Sequence, residues 1–129
     1  MSAELILGNL RGAIEAPAGC GKTQTIVDAL AFSTSKPYLV LTHTTAGVAA
    51  LRKRLTRANV PAKNYVLSTI DGWSVRIASS FSQNCHITSP VENSRAYYPE
   101  LRNVVSHYLA SGSLHEAIKA SYSRLIVDE

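Results

Sequence analysis

Eight residues, Ala16 to Thr23, read APAGCGKT. They meet the phosphate-binding pattern GxxxxGK[ST] at every defining position but the first, where Ala stands in place of Gly. The flanks constrain the fold further. GAIEA over 12–16 is a short apolar run predicted as a strand, and KTQTIVDALAF sets Ile26, Ala29 and Leu30 on one helical face. In a strand–loop–helix unit of this kind, Gly19 and Gly21 allow the close backbone approach that turns successive N–H groups toward phosphate oxygens. The positive end of the following helix dipole faces the same point. Ala18, Gly19, Cys20, Gly21, Lys22, Thr23 and Gln24 are therefore the expected nucleotide contacts. Lys22 would reach the β- and γ-phosphates, and the Thr23 hydroxyl would take a magnesium site. Cys20 stands where the pattern accepts almost any residue, and reads as a small filler.

The rest of the chain repeats the alternation. PYLVLT (37–42) is a nearly continuous apolar run, as expected of a strand covered on both faces. TAGVAALRKRLTRA follows, with Val48, Leu51 and Leu55 at helical spacing. YVLST (65–69) is a third strand, and Ile70, Trp73, Ile77 and Phe81 mark a helix after it. SQNCHITSPVENS is polar and irregular and reads as a loop. Tyr97, Leu101, Val104, Val105 and Tyr108 form another helical stripe, Ser113 and Glu116 suggest a capping box for a short helix through Ile118, and RLIV (124–127) is the last strand. This pattern predicts an α/β fold, a parallel sheet with helices on both faces, in one domain over 1–129.

Composition bounds the function. With 129 residues and 46% hydrophobic content, the chain supports one ordinary core. No apolar run approaches the roughly 20 residues of a membrane span, and MSAELILGNLRG has neither the basic region nor the cleavage site of a signal peptide, so a cytoplasmic protein is expected. Cys20 and Cys85 are the two cysteines and form no CxxC pair, which argues against a disulfide framework and against zinc at Cys85–His86. The net charge of +4 favours a polyanionic partner.

At the other end, RLIVDE joins an apolar strand to two carboxylates. Beside a phosphate-binding loop, Asp128 would hold the water shell of magnesium and Glu129 would polarise an attacking water. A water-activating carboxylate favours hydrolysis over phosphotransfer. Lys22 and Glu129 are the expected catalytic groups, and Thr23 with Asp128 the expected metal site.

Taken in order, APAGCGKT, VLTHTTAGVAALRKRL, LSTIDGWSVRI and LIVDE resemble the N-terminal RecA-like ATP-binding domain of superfamily 1 DNA helicases of the UvrD/Rep class. Thr42 to Leu55 match the family's Thr-rich segment and basic helix in shape. Thr69 to Trp73 fill its next turn, with Asp71 where His is usual. No Gln precedes Ala16 to read adenine, and Ser82 to Ser123 is shorter than the helical subdomain many members insert, so a reduced helical insertion is expected at about 83–123. The resemblance implies a RecA-like P-loop NTPase sheet, truncated after the Walker B strand, that binds ATP and Mg2+ and couples hydrolysis to translocation on single-stranded DNA. A second RecA-like domain, in the same parent chain or another subunit, would complete the site. The resemblance also makes Thr42, His43, Thr44, Thr69 and Trp73 contacts to DNA. Trp73 has a competing place on the apolar stripe with Ile77, and the basic residues from Arg52 to Arg57 read either as a solvated helix face or as phosphate contacts. Two other functions fit the motifs: a non-catalytic split-helicase or remnant P-loop binding module, and a small P-loop kinase.

Overall fold

The computed structural model of the chain describes residues 21–128, together with residues 3, 7, 8, 11–13 and 15. Its elements in order are helix α1 (Lys22–Leu30), strand β1 (Tyr38–Thr42), helix α2 (Thr45–Arg57), a 3-10 turn (Ala62–Asn64), strand β2 (Tyr65–Thr69), helix α3 (Ile70–Ser80), helix α4 (Ser94–Ala110), helix α5 (His115–Ser121) and strand β3 (Leu125–Asp128). The three strands form one parallel sheet in the order β2-β1-β3. The α/β architecture expected from the alternation is present.

Five consecutive buried residues make β1 the centre of the sheet. Its pleat sends Tyr38 and Val40 to one face, where Ile26, Val27 and Leu30 of α1 and Leu51 and Leu55 of α2 pack with them. Leu39 and Leu41 point to the other face and meet Trp73 of α3, with Leu109, Ile118 and Tyr122 beyond it. A strand flanked this way cannot alternate apolar with polar, which is why PYLVLT reads as a continuous run. Each fully buried Leu contributes about 1.5–3 kcal/mol. A third cluster, Ala78, Cys85, Leu101 and Val105, joins α3 to α4. Arg102 of α4 reinforces that junction with a two-bond grip on Asp71 of α3, at 2.7 and 2.8 Å.

Three local expectations differ from the structure. Gly12, Ala13 and Glu15 are exposed and not in strand conformation, while Ile14 and Ala16 lie outside the described residues. A segment becomes a strand only by pairing, and among the described residues no ladder includes Gly12, Ala13 or Glu15. The capping box at Ser113 does not form. Gly112, at φ +82, turns the chain after α4, Leu114 is drawn into the core, and Leu114 rather than Ser113 becomes the N-cap of α5, with no side-chain cap. The Ser113 backbone N–H and hydroxyl are both within bonding distance of the Ser111 hydroxyl instead. Finally, β3 begins at Leu125, one residue later than expected, although the Arg124 carbonyl already accepts the Leu39 N–H at 2.8 Å and so takes part in the ladder.

Candidate functional site at the carboxyl edge of the sheet

Parallel register brings three residues level. Thr42 ends β1, Thr69 ends β2 and Asp128 ends β3, and Thr42 is the partner of both the others. In open parallel sheets ligands bind outside the carboxyl ends of the strands. The candidate site is this edge and the two corners where β1 and β2 turn into helices.

Those corners are built alike. Thr44 is the N-cap of α2, and its hydroxyl accepts the Gly47 N–H at 3.0 Å. Thr69 is the N-cap of α3, and its hydroxyl accepts the Gly72 N–H at 2.9 Å. Both have the spacing Thr-x-x-Gly, and in both a side chain at the glycine would crowd neighbouring hydroxyls. A Cβ on Gly47 would lie 3.0 Å from the hydroxyl oxygens of Thr42 and Thr44, and one on Gly72 would lie 2.9 Å from that of Thr69 and 3.0 Å from that of Ser68. The repeated tetrapeptide was the available signal for these corners; periodicity does not reveal it.

The chemistry of the edge follows from which hydroxyl protons are committed. Thr42 is buried, and its hydroxyl donates to the Thr44 carbonyl at 3.0 Å, closing the turn in which exposed His43 sits. Thr44 and Thr69 use their oxygens as cap acceptors, and their protons have no acceptor among the described residues. A hydroxyl that accepts from the backbone and still has a proton to give is suited to an anion. Asp128 adds a half-buried carboxylate to the row.

Trp73 goes elsewhere. Its ring is 7% exposed, packs against Leu39 and Leu41 on the underside of the sheet, and points Nε1 toward the Tyr122 hydroxyl at 3.5 Å. A base cannot stack on a ring buried in this way, so of its two readings the core placement is the one found.

At the start of α1, Gly21 adopts φ +83 as N-cap, a conformation that favours glycine, and Lys22 and Thr23 follow on a half-exposed first turn. The far end of α1 is tied to the amino edge of the sheet, where the Asn64 side chain donates to the Leu30 carbonyl at 2.9 Å. Gln24 is occupied at both ends of its amide: it accepts from Arg54 at 2.7 Å and donates to Asp28 at 2.8 Å. Any nucleotide contact by Gln24 would therefore come from its backbone. Ala18, Gly19, Cys20 and Glu129 lie outside the described residues.

Among the described residues no three His, Cys, Asp or Glu side chains form a metal cluster. Thr23 and Asp128 supply hard oxygen donors, the type magnesium takes. With one or two protein oxygens, magnesium completes its shell from phosphate and water. A cleft of about 660 Å³ lies on the opposite side of the sheet from α1 and α2, between Leu41, Trp73, Leu109, Tyr122 and Val127. Its walls are mostly apolar, with Arg102, Lys119 and Arg124 also among the lining residues. No helix among the described residues is long and apolar enough to cross a membrane. Comparison with protein-family models, curated proteins and solved structures gives no match.

Proposed function

We propose that the chain is the ATP-binding portion of a UvrD-like DNA helicase, in which ATP hydrolysis drives movement along single-stranded DNA. The observation that carries this reading is the carboxyl edge: two strand ends with identical Thr-x-x-Gly corners, in register with a third strand end bearing Asp128. Such an edge offers hydroxyl donors to phosphates, at Thr44 and Thr69, and a carboxylate to a cation, at Asp128. The sequence Gly21-Lys22-Thr23, opening α1 from a left-handed N-cap, is the other support.

In this proposal Lys22 neutralises charge on the β- and γ-phosphates, while Thr23 and Asp128 hold magnesium, which would screen the same charge. Glu129 accepts a proton from the attacking water. Thr44, Thr69 and His43 face the DNA strand, with Thr42 holding the turn that presents His43, and Trp73 acts beneath them by fixing α3 to the sheet. Phosphoryl transfer depends mainly on positioning and on cations around the γ-phosphate. In the resembled family a second RecA-like domain supplies arginines there, and such an arginine is worth about 10³ to 10⁵ in rate.

The test is calorimetric titration of ATP and of pyrophosphate into the wild-type chain and Lys22→Ala. Loss of a charge-assisted contact worth about 1.5–3 kcal/mol should weaken both ligands by about 10- to 150-fold. Equal affinities in the two proteins would remove the phosphate site and the helicase reading with it.

A further inference from the structure

The charge of this protein is localised. The chain has thirteen Lys and Arg and nine Asp and Glu. Arg52, Lys53, Arg54 and Arg57 all lie on α2, which carries no acidic residue. Setting those four aside leaves nine basic residues against nine acidic ones, so the whole net charge of +4 resides on one 13-residue helix. Within α2, Arg54 is turned to Gln24 of α1. Arg52, Lys53 and Arg57 are exposed and pair with no carboxylate among the described residues. Together with Thr45, Val48, Ala49 and Thr56 they line a surface groove of about 520 Å³.

The helix dipole accounts for only part of this. It favours cations in the last turn, where Arg54 and Arg57 stand, but Arg52 and Lys53 precede that turn. All seven lining residues belong to α2, so the groove is a strip of one helix surface on which Arg52, Lys53 and Arg57 stand beside half-buried Val48 and exposed Ala49. From Arg52 to Arg57 the helix rises about 7.5 Å, enough to meet two or three successive phosphates of one strand. The groove begins at Thr45, directly after the corner that presents His43 and Thr44.

We infer that this outer face of α2 is a second nucleic-acid contact, binding the sugar–phosphate backbone of one strand through Arg52, Lys53 and Arg57 without reading its bases. It rests on charge and shape, not on ATP chemistry, and goes beyond the proposed function by extending the strand's path from the sheet edge onto a helix flank.

Fluorescence anisotropy with a labelled oligodeoxythymidylate tests it, comparing the full chain with the triple substitution Arg52→Gln, Lys53→Gln and Arg57→Gln. Glutamine is a good helix former, and circular dichroism of the variant checks that α2 is retained. Three phosphate contacts to a single strand imply a wild-type affinity that falls about 20-fold between about 50 and about 200 mM salt, and a log–log salt slope that the triple substitution makes shallower by about 2. ATP titration of the same variant should be unchanged, which separates this contact from the phosphate-loop assignment. No oligonucleotide binding by wild type at about 50 mM salt, or a variant with unaltered affinity and slope, would overturn the inference. So would polyglutamate or anionic vesicles binding as tightly as the oligonucleotide, since the face would then serve an acidic protein or a lipid surface.

Discussion

Replacing Gly72 by Ala puts two opposed effects at one position. Gly72 is the third residue of α3, and in an ordinary helix Ala there would be favoured over Gly by about 0.5–1 kcal/mol. Here the new Cβ would stand 2.9 Å from the Thr69 hydroxyl oxygen, which is held in place by its bond from the Gly72 N–H. Relief requires the hydroxyl to rotate away, and the lost cap costs about 1 kcal/mol. The Ser68 hydroxyl, 3.0 Å from the same Cβ, is committed to the Thr69 carbonyl and yields little. Gly72→Ala should therefore destabilise the protein by up to about 0.5 kcal/mol despite the better helix propensity. In a Thr69→Ala background the main obstruction is gone, and the same change should stabilise by about 0.5 kcal/mol or more. The double-mutant cycle would then show about 1 kcal/mol of coupling. Urea unfolding reads this directly, because Trp73, the single tryptophan, is buried in the first turn of α3 beside the corner. If Gly72→Ala stabilised the wild type as an open helix position would, and the two substitutions were additive, the close-approach argument would be wrong.

The Arg102 guanidinium holds the Asp71 carboxyl below its ordinary range, chiefly through the side-chain hydrogen bond. A depressed carboxylate contributes stability that is present above its unfolded value and lost as pH falls through the folded one, so the contribution should fade below about pH 4. Arg102 is half exposed, and Arg102→Ala should cost no more than about 1 kcal/mol at neutral pH, with the gap to wild type closing in acid; a gap that persists there would count against the ion pair as its source. Burial also raises the Cys85 thiol. Peptide mapping after iodoacetamide treatment should find Cys85 unmodified in the folded protein and modified in urea, and rapid labelling without denaturant would refute its place in the α3–α4 core.

Hydrophobic periodicity made most of the fold legible. Leu51 with Leu55 fell on the face that α2 turns to the sheet, Leu101 with Val105 on the face that α4 turns to α3, because a helix packed on one side has one dry stripe, and PYLVLT exposed the central strand because both its faces are covered. What periodicity could not supply was pairing. GAIEA has the composition of a strand, yet no ladder partner reaches Gly12, Ala13 and Glu15 among the described residues. The candidate site was legible as residue types, with Thr42, Thr69 and Asp128 each at a strand end. Their alignment was not, since register depends on which strands become neighbours. Trp73 shows the same limit: its stripe said helix face, and only the sheet beneath α3 decided that the face was inward.

The two ladders of the central strand differ in how far along the chain they reach. Thr42 meets Thr69 across 27 residues and Asp128 across 86, and closing the longer loop costs about 1 kcal/mol more in chain entropy. The ladder that delivers the carboxylate is also the shorter one, four register pairs against five. Among the described residues β3 has no strand on its other side, and Leu125 and Val127 are left 60% and 48% exposed. Among the described residues, the carboxylate is thus carried by the strand with the longer closure and the more exposed apolar side chains. A partial opening that released β3 would separate Asp128 from the row while leaving both Thr-x-x-Gly corners intact.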